Sequence, residues 1–196
     1  MSNKIKNLNY ENLVKHLSME AQKGSPMFLA GIVFWSLALI AKFILPESVL
    51  VWYYLFGIGC VFPLGILIAR LMKVNFLASE NPLSVFGGLA GGIQIFFAPL
   101  IILIALNQPE WIPFVVGILT GAHFLPFMAI YNSRAYLFQT IATAGAVSII
   151  GFTMMEQAYL YIPIALIIVY ATTYGLLRRE CRLEQSTQDT LIKKEA

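Results

Sequence analysis

Charge is what this chain has least of. Of 196 residues only 23 are charged, 13 Lys and Arg against 10 Asp and Glu, where a soluble domain carries roughly a quarter. Six of those charges fall in residues 1–24 and nine in 178–196, which leaves eight across the 153 residues between. Asp is absent before residue 189, and no Asp or Glu lies inside an apolar run. That argues against a carboxylate-driven sodium or proton coupler. Cysteine is scarce as well. Cys60 sits in an apolar run and Cys181 in the polar tail, too few and too differently placed for a disulfide framework or a metal knuckle. The net charge of +3 and pI of about 8.9 do not signify nucleic acid, because the basic residues are spread over loops and tails rather than gathered with aromatics into one patch.

What remains is apolar. Hydrophobic residues make up 59% of the chain and its mean hydropathy is +0.76. A bilayer-crossing helix needs about 20 apolar residues, and runs bounded by charge, Pro or Asn predict spans over 25–45, 48–71, 83–106, 111–131, 135–155 and 158–177. Barrel strands would alternate apolar and polar residues, whereas Ile58 to Ala69 and Ile93 to Ala105 are apolar almost throughout. The expected fold is therefore all-α, a polytopic integral membrane bundle of six transmembrane helices. Three regions are expected: a cytoplasmic amphipathic segment over 1–24, the transmembrane domain over 25–177 and a polar cytoplasmic tail over 178–196. The polar stretch before the first run and the length of that run argue against a cleaved signal peptide.

Orientation follows from the bias of Lys and Arg toward cytoplasmic loops. Twelve of the 13 basic residues fall on one side of the predicted topology, and Lys42 alone falls on the other. That opposite side carries Glu47, Glu110 and Glu156, one in each short loop. Both termini are thus expected in the cytoplasm. Trp52, Tyr53, Tyr54, Trp111, Tyr159 and Tyr161 are expected at the outer interface, with Tyr131, Tyr136 and Tyr174 at the inner one. Lys42 is expected to snorkel toward the outer surface or Glu47.

Before the first span, Tyr10, Leu13, Val14, Leu17 and Ala21 have helical spacing after a candidate Asn9 cap, with Leu8 and Leu13 placed as a hydrophobic staple. Gly24 and Pro26 should end this helix, which is read as lying at the cytoplasmic interface; a frayed tail is the alternative. The tail from Arg178 should begin as an extension of the sixth helix, with disorder near Ala196.

Pro46-Glu47 and Pro109-Glu110 open even-numbered spans, and Pro63 and Pro126 follow 17 residues after each Pro, an offset of 63 in both pairs. This suggests repeated helix hairpins. With or without duplication, a Pro inside a span removes a backbone donor, so Pro63 and Pro126 are candidate kinks.

Gly87, Gly88, Gly91 and Gly92 form two overlapping G-x-x-x-G registers, and Gly117 with Gly121 forms another; these are read as helix-packing faces. His123 lies twelve residues into an outward-starting span of about 21, near the bilayer middle, where ionisable groups are costly. Gln94 is predicted at similar depth, and Cys60 matches His123 through the 63-residue offset. His123, Gln94 and Cys60 are therefore the candidate binding residues of a polar centre. A neutral imidazole donates and accepts at once; the plainer reading is a His to Gln bond that only satisfies two buried groups. A lone central His lacks the partners a zinc or iron site needs, so no metal and no cofactor is expected. Ser36 and Ser148 lack a G-x-S-x-G setting, and no catalytic constellation points to an enzyme.

Gly24-Ser25-Pro26, Ala30-Gly31, Trp35, Asn81-Pro82-Leu83, Gly87-Gly88 and His123-Phe124-Leu125-Pro126 together resemble the small six-helix bacterial inner-membrane proteins grouped in families of unknown function. The resemblance covers most of residues 24–179 and implies a multi-pass cell-membrane location but no activity. Two functional classes follow from the residues. One is transport of a small or lipid-like solute through a polar centre near His123. The other is a membrane interaction or assembly subunit, either a homo-oligomer or joined to another membrane protein through its Gly-rich faces.

Overall fold

A computed structural model describes residues 9–195. The expected Leu8–Leu13 staple and the chain end at Ala196 lie outside the described residues. Six helical segments are long and apolar enough to cross a membrane: Gln22–Ile44, Glu47–Leu71, Leu83–Asn107, Pro109–Ile130, Arg134–Thr153 and Met155–Thr187. They coincide with the six apolar runs to within a few residues, except that the last continues without a break. No strand occurs among the described residues.

In chain order the α-helices are α1 (Tyr10–Glu20), α2 (Ser25–Ile44), α3 (Glu47–Leu71), α4 (Leu83–Gly92), α5 (Ala98–Asn107), α6 (Ile112–His123), α7 (Leu125–Ile130), α8 (Arg134–Thr153) and α9 (Ala158–Glu195). The third span is α4 and α5 joined by a 3₁₀ segment, Ile93–Phe97, and the fourth is α6 and α7 separated at Phe124. At 1.5 Å per residue the 38 residues of α9 extend about 57 Å, against a hydrocarbon core of about 30 Å. Its final turns must therefore project beyond a bilayer.

The bundle is organised around α2, which packs on α9 and α3, while α8 packs on α9 and α6. Small residues make these approaches close. Ala30 and Ala38 are fully buried on α2, and a side chain at Gly31 would overlap the Tyr170 ring of α9. Gly117 and Gly121 of α6 lie against α8: a Cβ at either would come 2.8 Å from Val147 or Thr143. Gly65 against Met27 and Gly151 against Phe114 are equally tight, and neither lies in a G-x-x-x-G register.

The other glycine face behaves differently. Among the described residues a Cβ at Gly88, Gly91 or Gly92 would meet nothing within 4 Å, and one at Gly87 only Phe127 at 3.8 Å. These four glycines therefore make no tight helix contact among the described residues. The third span is the most peripheral, 6% buried against 39% for the first and fourth, and α4 has no buried residue. A glycine motif shows that close approach is sterically allowed; whether a neighbouring helix supplies the contact depends on the rest of the span.

Of the aromatics expected at the two interfaces, Tyr54, Tyr131, Tyr136 and Tyr159 are buried within the bundle, whereas Trp52, Trp111 and Tyr161 are exposed. The buried rings join core clusters, Tyr54 with Trp35 and Tyr159, and Tyr136 with Phe28 and Phe127. Tyr159 donates to the Pro109 carbonyl at 2.6 Å, whereas the buried Tyr54 hydroxyl has no partner among the described residues. Lys42 does reach Glu47, at 3.0 Å, and lies 5.8 Å from the centre of the Tyr159 ring.

Pro63 sits inside an unbroken α3, while Pro126 opens α7 just after the interruption at Phe124. The two prolines related by the 63-residue offset thus have different backbone consequences. Pro126 in the first turn of α7 lacks only a donor that a helix start leaves unused.

Candidate functional site

His123 ends α6 and Gln94 lies in the 3₁₀ segment between α4 and α5. Both spans are therefore irregular where these two side chains meet. The Gln94 amide nitrogen lies 2.8 Å from His123 Nδ1 and 3.3 Å from the Leu119 carbonyl. His123 Nδ1 also lies 2.6 Å from the Thr120 carbonyl. One nitrogen cannot donate to Thr120 and accept from Gln94 at once, so the two neutral tautomers of the ring have different partners. The imidazole is half-buried and packs against Phe124, with ring centres 4.1 Å apart. Thr120 Oγ1 is buried beside it with no partner among the described residues.

The structure thus brings two of the three sequence-derived candidates together. Cys60 does not join them; it is exposed on α3 and makes no hydrogen bond to either among the described residues. The offset that paired Cys60 with His123 equates positions along the chain but not the faces those positions present. Among the described residues no three His, Cys, Asp or Glu side chains converge as metal ligands.

A second buried polar cluster was not anticipated. Gln139 of α8 donates to Thr143 Oγ1 at 3.1 Å and accepts from Thr173 Oγ1 of α9 at 2.6 Å, and all three residues are fully buried. A signal was present: Gln139 and Thr143 are four residues apart and share one helix face. Pairing across helices removes the cost of placing an amide in an apolar interior.

The end bearing α1 and the last turns of α9 holds the greatest density of charge. After α1 the chain makes a left-handed turn, with φ of 46° at Gln22, 50° at Lys23 and 70° at Gly24. Only Gly adopts this region without strain. The Lys23 side chain is nonetheless almost wholly buried: Nζ pairs with Glu184 at 2.6 Å and Glu180 at 3.4 Å, and donates to the Tyr131 carbonyl at 3.3 Å. Tyr136 donates to the Lys23 carbonyl at 2.6 Å, and Arg178 donates to the Gln22 side chain. Burial pushes the Tyr131 phenol above its ordinary pKa, so that ring stays neutral.

α1 is docked on the bundle through this turn. Val14, Leu17 and Ser18 are its buried face. Ser18 donates to the Tyr131 carbonyl at 3.3 Å, Tyr10 to Ala129 at 3.0 Å, and Asn81 to Leu13 at 2.8 Å. The Asn9 side chain makes no cap bond; its carbonyl accepts from Asn12 and Leu13 instead. A groove of about 680 Å³ opens between α1, Tyr131-Asn132 and the α9 extension, with Lys15, Leu183 and Thr187 on its walls.

Six apolar helices, two of them interrupted at a shared polar contact, define a multi-pass membrane-like helical bundle. The chain matches a family of unknown function, DUF7010, over residues 10–180 and belongs to that family. No curated protein and no solved structure matches it.

Proposed function

We propose that this is a non-enzymatic protein of the cell membrane, of the bacterial inner-membrane type, that moves a small or lipid-like solute past the Gln94–His123 contact. The observation carrying this reading is that both spans meeting there are interrupted at the contact, and one of them is the least packed helix of the bundle. Interrupted helices at mid-depth are how many transporters build sites, because the broken ladder frees backbone groups that line a cavity. A loosely held third span is the element able to move, and a 3₁₀ stretch inside a helix is a natural hinge. The unpartnered Thr120 hydroxyl adds a polar group beside His123. In this reading the basic end carrying α1 and the extension of α9 faces the cytosol.

Thiol access tests it. A protein carrying one cysteine, Thr120→Cys in a Cys60→Ala, Cys181→Ala background, should react with a water-soluble maleimide from at least one side. Complete protection from both sides, in every condition where the fold is intact, contradicts a pathway.

A second reading rests on the open glycine face of α4. A Cβ at Gly88, Gly91 or Gly92 would have no neighbour within 4 Å among the described residues, and small residues let a partner helix approach closely. The reading is an assembly subunit, binding a second copy or another membrane protein. Leu at Gly88 and Gly92 should then abolish a cross-linked complex while leaving the monomer folded.

A further inference from the structure

We propose that α1 is a hinged lid over the basic end of the bundle, latched shut by insertion of Lys23 between Glu180 and Glu184 of α9. The hinge is the left-handed turn Gln22–Gly24, whose first two residues pay a backbone cost that only their native contacts hold in place. The latch is electrostatic. Lys23 is 1% exposed, and its ammonium is met by two carboxylates from α9 and one carbonyl from Tyr131. Arg178 and Arg182, on the same stretch of α9, share a crevice with Gln22 of this turn, Arg178 donates to the Gln22 side chain, and Glu20 just before the turn is engaged by His16 and Asn75.

The rest of the α1 contact is slight. Three of its eleven residues are buried, and among the described residues its remaining polar links to the bundle are single hydrogen bonds through Tyr10, Ser18, Asn81 and the Asn75–Glu20 pair. A helix held by few apolar contacts and by single hydrogen bonds, those of Tyr10 and Glu20 exposed, is drawn from the low-stability end of a fold. Its weight therefore falls on the buried ion pairs, whose carboxylates reach solvent on one side. Releasing Lys23 frees the turn to leave the left-handed region and lets α1 swing away from the groove it walls.

Cys181 reports the state of the lid. It is 8% exposed and shares a crevice with Ser18, Met19 and Gln22 of the α1 segment. The experiment uses the full chain with Cys60→Ala, so that Cys181 is the one thiol, and measures its reaction rate with a charged maleimide, extrapolated to full thiol ionisation because, besides burial, Glu184 and Glu180 raise the Cys181 pKa. Glu180→Gln with Glu184→Gln removes the latch charges and keeps their shape. Labelling should rise by about tenfold, the factor equivalent to about 1.4 kcal/mol in a local opening equilibrium. A control with Cys60→Ala, Cys181→Ala and Val147→Cys, a fully buried core position, should stay protected with and without the latch substitutions. Unchanged Cys181 labelling overturns the proposal, since α1 is then a fixed part of the bundle. A parallel rise at Val147→Cys also overturns it, because the charges then hold the whole fold and not a lid.

Discussion

The Gln94 amide meets His123 Nδ1 at 2.8 Å, joining the most peripheral span to the bundle at the point where both helices lose regularity. Interhelical hydrogen bonds inside membranes are worth about 0.6 kcal/mol on average and reach about 1.7. Gln94→Leu should therefore leave the protein folded, with a loss of stability in that range. It should also raise amide exchange selectively in residues 83–107. Exchange unchanged in that segment would mean that the contact does not tether it.

The two glycine registers should respond oppositely to bulk. Gly117→Leu or Gly121→Leu drives a side chain into Val147 or Thr143 and should cost about 1–3 kcal/mol or more, as overpacking does. Gly88→Leu meets open space and should change monomer stability by no more than about 0.5 kcal/mol. Thermal unfolding in one detergent compares all three.

Gln139 ties α8 to α9 through Thr173. Gln139→Leu deletes both of its bonds, although Thr173 keeps its own back-bond to the Val169 carbonyl at 2.9 Å. Because that partner remains, the expected loss is modest, about 0.5–2 kcal/mol. Adding Thr173→Val to Gln139→Leu should cost less than the sum of the two separate losses, which a double-mutant cycle measures directly.

Tyr136→Phe removes the hydroxyl that satisfies the buried Lys23 carbonyl. An orphaned buried acceptor costs about 1–3 kcal/mol, so the variant should lose stability in that range. Gly24→Ala should be at least as harmful, because φ is 70° there and a Cβ would come 2.7 Å from the Tyr136 hydroxyl. A neutral result for both would show that the left-handed turn does not depend on its present partners.

The spans were legible in the sequence because bilayer thickness imposes a length, and Pro46, Asn107 and Asn132 punctuate the runs. The Gln94–His123 contact was legible from depth alone, since two polar residues at matching depth have few other partners. Depth says nothing of rotation about a helix axis, and that is where Cys60 was misplaced. The same limit applies to Gly88, Gly91 and Gly92, whose spacing allows a close approach that no helix among the described residues makes. Lys23 read as one more basic residue at the membrane edge; its burial depends on Glu180 and Glu184, more than 150 residues away along the chain. Tyr54 and Tyr136 read as belt residues because a tyrosine near a helix end suits an interface and a core equally well.

The account stands most directly on topology. Fusing to residue 196, and separately to loop positions 46, 108 and 156, a reporter active only outside the cytosol measures it. The account predicts activity at the three loops and none at residue 196. Activity at residue 196, or silence at the loops with the reporter intact, would contradict six crossings with the basic end inside.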